Sequence, residues 1–328
     1  MSFVVILAQL AVNHHYIRMN KNSRRTFLKS LATAATSIAL PSSVYGKLST
    51  ISESIKLGII TDTHIGFVDD AEERFSVFMR DMDKFGPDAL LQLGDFAHPI
   101  KKFQKIADTF NAGADVAIHA IGNHDLDFSH TREDCVKAWG MPNRYYTKTV
   151  NDLRIIVLDG NDKGSPTHSR HGGYASYIGP DQQKWLAEQL SGSDSAVLIV
   201  SHQPLAGRIE IDNAKEIQTI ISRHKDKVIL CLNGHSHVDQ QIDVNGVTYL
   251  HCNSASYFWL GGMVRLAKYK DPLYATMTID PKKKEIRIDG IRSSWLSGTP
   301  EDAKFFTGKN AGLEKIVVPE IRNRILRI

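Results

Sequence analysis

The sequence predicts an α/β fold, and three observations carry that prediction. Six short apolar runs each stop abruptly in polar residues. Several of the stretches between them place apolar residues at helical spacing. After residue 240 the pattern changes to pairs of strand-like runs joined by turns. Runs this short and continuous are what strands buried on both faces require. The runs are KLGIITDTH (56–64), DALLQLGD (88–95), DVAIHAIGNHD (115–125), LRIIVLDGND (153–162), AVLIVSHQP (196–204) and VILCLNGHSH (228–237). Helical spacing occupies AEERFSVFMRDMDKF (71–85), IKKFQKIADTF (100–110), DQQKWLAEQL (181–190) and AKEIQTIISRH (214–224). Strands alternating with helices give βαβ units and a largely parallel sheet. QIDVNGVTYLHC carries an Asn-Gly turn, and YATMTIDPKKKEIRIDGI reads as a second hairpin, so antiparallel strands are added late, as a second sheet.

The 328 residues allow one large domain or two small ones, with 42% apolar and 23% charged residues. The chain is expected to divide into a leader over 1–46 and a domain over 47–328, with a tail from about residue 292 packing on that domain. The formal charge of +4 is uneven. Residues 1–46 hold Arg18, Lys21, Arg24, Arg25 and Lys29 and no acid, which leaves the body 35 Lys and Arg against 36 Asp and Glu, a net −1. That balance gives no strong nucleic-acid signal.

The leader reads as an export signal. SRRTFLKS (23–30) precedes the weakly apolar LATAATSIAL and then PSSVYGK: a basic segment, a short apolar segment, and small residues before a cut after Gly46. Arg24-Arg25 followed by Phe27, Leu28 and Lys29 resembles a twin-arginine signal, which exports folded proteins, so the twin-arginine machinery is an expected partner and the mature chain is expected outside the cytoplasm, periplasmic or extracellular. Met19 is the expected start. FVVILAQLAV is too short to span about 30 Å of hydrocarbon, and no transmembrane anchor is expected after cleavage. Cys135, Cys231 and Cys252 form no CxxC; either Cys231 pairs with Cys252 or all three are buried thiols.

The run ends hold the chemistry. Asp62 and His64 end the first, Asp95 the second, Asn123 the third, His202 the fifth, and His235 and His237 the sixth. Open α/β sheets bind ligands outside the carboxyl ends of their strands, and these seven are oxygen and nitrogen donors of the kind divalent metals take. Two-residue spacing within DTH and HSH puts each pair on one face if the backbone is extended. Gly94, Gly122 and Gly234 each precede a donor and allow close backbone approach. A lone DxH or GD is background; GNHD and GHSH are more specific, and all five pieces in order point to a metal site.

DTH, GD, GNHD, SH and GHSH in this order resemble the five blocks of the calcineurin-like metallophosphoesterases, over roughly residues 56–253, with GPDQQKWLAEQL also typical. The resemblance implies a four-layered α/β/β/α sandwich with two mixed β-sheets and two divalent metal ions. It assigns Asp62, His64, Asp95 and His237 to one ion and Asp95, Asn123, His202 and His235 to the other, with Asp95 bridging and His124 facing substrate. Fe, Mn, Zn and Co suit these ligands. Such a pair clamps the attacking and leaving oxygens at phosphorus and supplies hydroxide near neutral pH. The expected function is therefore metal-dependent hydrolysis of a small phosphoester, with Asp95 and His124 as catalytic residues and His124 protonating the leaving oxygen or stabilising phosphate. Asp125 either orients His124 or caps the turn.

Departures narrow the branch. His98 stands where purple acid phosphatases carry Tyr, and GDFAHP and GNHD differ from the GDxxDRG and GNHE of Ser/Thr protein phosphatases. What remains resembles the single-domain phosphodiesterases, including class III cyclic-nucleotide and glycerophosphodiesterase relatives. A phosphomonoesterase is the alternative, with a nuclease or a non-catalytic binding protein behind it. His98 is expected on an exposed loop rather than lining the pocket. His168, Arg170, His171, Tyr174 and Tyr177 lie in a Gly-rich loop, expected as plain surface rather than substrate contacts.

Overall fold

The structure, a computed structural model, describes residues 47–166, 173–192, 194–257, 259–260 and 267–328. The export signal and the loop residues His168, Arg170 and His171 lie outside the described residues. Two six-stranded mixed sheets form the frame. In the first, β1 (Ile55–Ile60), β2 (Ala89–Gln92) and β3 (Val116–His119) run parallel. The second contains β4 (Tyr146–Val150), β5 (Leu153–Leu158), β6 (Val197–Ser201), β7 (Val228–Asn233), β8 (Gln240–Val244) and β9 (Val247–His251) in the order β4-β5-β6-β7-β9-β8. Here β5, β6, β7 and β9 are parallel, and β4 and β8 close the edges antiparallel. A two-stranded ribbon joins β10 (Lys268–Tyr269) to β13 (Trp295–Ser297). The hairpin β11 (Ala275–Asp280) and β12 (Glu285–Gly290) returns to the first sheet, where β11 pairs antiparallel with β1 and β12 with β14 (Arg324–Arg327).

The six runs therefore split between two sheets, as the resemblance implied, where the run pattern alone suggested a largely parallel sheet. Side-chain alternation shows why both sheets are covered on each face. On β5, Ile155 and Val157 face the core between the sheets, while Ile156 and Leu158 face α4 (Pro180–Ser191) and α5 (Ala214–Ser222). On the first sheet, α1 (Ala71–Phe85) and α2 (Gln104–Asn111) supply Phe75, Phe78, Met82 and Phe110 to the core. The result is the four-layered α/β/β/α sandwich with two mixed sheets. Helix α1 buries Ala71, Arg74, Phe75, Phe78 and Met82, a single stripe at 3.6-residue spacing, and ends at Gly86 in the left-handed region. Helix α3 (Arg132–Trp139) was not foreseen; Thr131 and Asp134 form its capping box.

Residues after 292 add the edge strand β14 to the first sheet, where Arg322 and Arg324 both grip the buried Asp239. The three cysteines are free and buried. Cys231 packs on the helix side of the second sheet and Cys252 in the core between the sheets, so opposite faces separate them. No described helix is long and apolar enough to cross a membrane.

Candidate metal centre

Five loops leaving the carboxyl ends of β1, β2, β3, β6 and β7 meet at one rim, stitched by main-chain bonds. Asp62 N–H donates to Gly94 O and His64 N–H to Asp95 O, each at 3.0 Å, and Gly234 N–H to His202 O at 3.2 Å. Two groups of donors result. Asp62, His64 and His237 form one, and Asp95, His202 and His235 the other, each with its ligand atoms within 4.8 Å of one another. His237 Nε2 lies 3.1 Å from Asp62 Oδ1 and 3.3 Å from His64 Nε2. His202 Nε2 lies 3.1 Å from Asp95 Oδ2 and 3.3 Å from His235 Nδ1. His64 Nε2 stands 3.8 Å from that same Oδ2, so one oxygen of Asp95 sits between the groups.

Paired imidazole nitrogens at this spacing suit neighbouring ligands of one cation: bonds of about 2.0–2.2 Å put adjacent donors about 3.0–3.4 Å apart. The surroundings fix the donor atoms. His202 Nδ1–H donates to Leu93 O at 2.9 Å, freeing Nε2. His235 turns Nδ1 inward, with Nε2 2.9 Å from the Tyr174 hydroxyl. Asp62 Oδ2 accepts from Thr61 Oγ1 at 2.6 Å and from His235 N–H at 3.0 Å. Asn123, the seventh residue, is buried with its Oδ1 unpartnered among the described residues. A buried amide oxygen without a donor is costly unless a cation takes it, so the donor set fits a pair of divalent ions.

The backbone corrects one expectation. Asp62, His64, Asp95, His235 and His237 all have φ between 49° and 65°. DTH and HSH are therefore not extended; left-handed turns bring each pair together. Five non-glycine residues in this region mark strain concentrated at one site. Close approach explains two glycines. A methyl group on Gly122 would overlap Asp95 Oδ1 and its amide nitrogen, and one on Gly234 would overlap Thr61 Oγ1 and Asp62 Oδ2.

Electrostatics follow from burial. Burial holds His64 neutral, down to about 3, and pushes His235 well below the usual range. His202 goes the other way: burial opposes its charge, but Asp95 and Asp62 raise it to about 9. Against burial, His237 and His202 draw Asp62 down to about 2. Two carboxylates among four imidazoles thus favour positive charge at His202, and a bound metal ion would take the place of that proton.

His124 is not part of either group. Its main-chain N–H donates to Asp95 Oδ1 at 2.8 Å, and its Nδ1 lies 2.7 Å from Asp127 Oδ2. Asp127 is the partner that the sequence reading passed over, although a carboxylate three residues from an imidazole was the available signal. Asp125 does not orient the His124 ring; of the two expected roles it takes the other and caps the turn. Its buried carboxylate accepts from the N–H groups of Gly122, Asp95 and Phe96 at 2.7–2.9 Å, tying the GD loop to the GN loop. His98 is buried against Phe67, 4.5 Å between ring centres, which corrects its placement on an exposed loop. A cavity of about 280 Å³ opens over the donors, walled by His124, Tyr174, Arg208, Ile209 and Trp259. Tyr174 was expected on plain surface and instead faces the site; Arg208 and Trp259 carried no sequence signal.

The family profile described as calcineurin-like phosphoesterase matches residues 55–239, more than half of the chain. No curated protein matches the sequence. Among solved structures, a dimetal phosphatase from Danio rerio aligns with a TM-score of 0.56 at 14% identity, covering 76% of this chain and all of that one. GAP50, the anchor in the inner membrane complex of Plasmodium, aligns with a TM-score of 0.52 at 13% identity, covering 79% of this chain and 91% of that one. At these identities the likeness is one of fold.

Proposed function

We propose, from the premise that this chain belongs to the calcineurin-like phosphoesterases, that it is a metal-dependent phosphodiesterase acting on a small phosphoester. The observation that carries this reading is Asp95 Oδ2 lying between two convergent donor groups at the floor of one cavity. Asp62, His64, Asp95 and His237 would hold one divalent ion, and Asp95, Asn123, His202 and His235 the other. When bound, two such ions polarise a phosphoryl oxygen and lower the pKa of the attacking water.

The rest falls to the chain. His202 and His235, fixed by Leu93 O and Tyr174, present one nitrogen each and keep their geometry in the absence of substrate. His124 donates through Nδ1–H to Asp127, which fixes the ring, and delivers the proton on Nε2 to the departing oxygen. The low sequence identity to a dimetal phosphatase keeps phosphomonoester hydrolysis as the second reading.

The test is a screen of the metal-reconstituted protein, with Mn, Zn, Co or Fe, against an aryl monoester, an aryl diester, a cyclic nucleotide and a glycerophosphodiester. Metal-dependent turnover with a diester preferred is expected. Preference for the monoester overturns the diesterase reading, and no turnover with any metal overturns hydrolysis altogether. We also propose that residues 19–46 direct export by the twin-arginine route, supported by SRRTFLK. Replacing Arg24 and Arg25 by Lys should retain the protein in the cytoplasm on fractionation; undiminished export removes the proposal.

A further inference from the structure

Arg154 and Arg208 are half-buried arginines without a carboxylate partner among the described residues; Arg154 donates to Gln189 Oε1, and of the two it is Arg208 that lines the cavity. Arg208 lies on the loop after β6, in SHQPLAGRIE, half-buried, with its guanidinium 5.9 Å from the centre of the Trp259 ring. Both side chains wall the cavity that holds His124, His235 and His237. Arg74 pairs with Asp70, Arg132 and Arg144 with Asp159 and Asp162, and Arg322 and Arg324 with Asp239. Arg208 has no such partner among the described residues. Its Nε is enclosed and makes no hydrogen bond, and the undescribed stretches contain no Asp or Glu to supply one.

The balance of forces is one-sided. Burial lowers the pKa of Arg208 and no carboxylate opposes it. A partly desolvated cation without a counter-ion is costly, and Trp259 offsets only part of that through its ring face. Trp259 is itself braced edge-on by Phe305, 5.1 Å between ring centres. Stacking on an indole leaves the edge of the guanidinium plane open, the geometry that grips carboxylate or phosphate in a bidentate manner. The cavity is small, so an anion held there belongs to the same molecule as the phosphorus above the donor groups.

We propose that Arg208 binds a second negative charge on the substrate, beyond the single charge of a diester phosphoryl group. This rests on the phosphoester reading and narrows it: the ester carries another anionic oxygen within the cavity. That oxygen belongs to a carboxylate on a diester or to the second ionised oxygen of a monoester. Trp259 positions the guanidinium and reports on it.

Binding separates this proposal from the reading beneath it. Three non-hydrolysable ligands are titrated into the metal-reconstituted protein by calorimetry and by tryptophan fluorescence, with Trp259→Phe as the optical reference. They are dimethylphosphinate with one charge, methylphosphonate with two on phosphorus, and carboxymethyl(methyl)phosphinate with one on phosphorus and one on the carboxylate, none of which has a P–O–C bond. Arg208→Gln should weaken at least one doubly charged ligand by about tenfold or more, as loss of a charge-assisted contact does, and dimethylphosphinate by less than twofold. Arg208→Lys should recover part of the loss. The ligand that suffers most identifies the source of the charge. Equal weakening of all three ligands, or of none, overturns the role of Arg208 and leaves the phosphoester reading standing. Failure of the unmutated protein to bind any of the three overturns that reading and the proposal with it.

Discussion

His124 Nδ1 lies 2.7 Å from Asp127 Oδ2, while the His124 ring packs edge-on to His64, 5.4 Å between centres. The carboxylate makes Nδ1 the donor in that pair and leaves Nε2 for the cavity, a division of labour between two ring nitrogens that a neighbouring carboxylate commonly sets. Burial works against a charged imidazole here, but Asp95 and Asp127 outweigh it and raise its pKa.

If the proton on Nε2 goes to the leaving oxygen, its loss should matter most where the oxygen leaves poorly. His124→Ala should lower kcat for an alkyl phosphodiester by about 10²–10⁴-fold and for a nitrophenyl diester far less, with metal content unchanged. Asp127→Asn should show the same contrast in weaker form. Equal losses on the two substrates would leave His124 as an electrostatic clamp on phosphate.

Asp95 offers a second test. Its Oδ2 is 3.1 Å from His202 Nε2 and 3.8 Å from His64 Nε2, and its Oδ1 accepts from His124 N–H. Asp95→Asn keeps the shape and removes the charge. Metal analysis should find both ions depleted and activity mostly gone. Two retained ions with near-normal turnover would remove the bridging role.

Much of this site was written in the chain. DTH, GD, GNHD, SH and GHSH name the donors because metal chemistry restricts residue types and strand ends restrict position. The conformation was not legible: Asp62, His64, Asp95, His235 and His237 adopt left-handed backbone under tertiary constraint, where two-residue spacing suggested extension. The two mixed sheets were legible through the resemblance carried by the five blocks. The late hairpin's place was not: β11 pairs with β1 across more than 200 residues, and no local pattern specifies that partner. Arg208 and Trp259 meet from distant loops, so neither has a motif. Asp127 lay in plain view, three residues from His124, and was overlooked because Asp125 is adjacent.

Gly122 tests packing rather than chemistry. Its φ is not left-handed, so alanine meets no backbone penalty there. The added methyl would instead overlap Asp95 Oδ1 and N. Overpacking of this kind typically costs about 1–3 kcal/mol, and Asp95 is what must shift. Gly122→Ala should therefore lower the urea midpoint and weaken metal binding together. A destabilised variant with unchanged metal affinity would separate the loop contact from the centre.

The acid limb of stability should carry two histidines that bind no metal. His119 is buried, with Nε2–H donating to Asn111 Oδ1 at 2.8 Å and Gln92 Nε2 3.2 Å from Nδ1, an arrangement for the neutral ring. Burial pushes its pKa down to about 3. His251, between Ser236 Oγ and Ala206 O, each at 2.8 Å, is pushed down by burial to about 4. In the unfolded chain both titrate near about 6.5. Below that pH the unfolded state binds protons that the folded state refuses, so stability is full above it and falls as pH drops toward the folded values. The slope is about 1.4 kcal/mol per pH unit for each ring. From about pH 6 to about pH 4.5, each should remove about 2 kcal/mol. His119→Gln keeps a donor for Asn111 and cannot titrate. Urea unfolding of both proteins at the two pH values should show a fall smaller by about 2 kcal/mol in the variant. Equal falls would mean that His119 is charged in the folded protein, and its bonds to Asn111 and Gln92 would need another account.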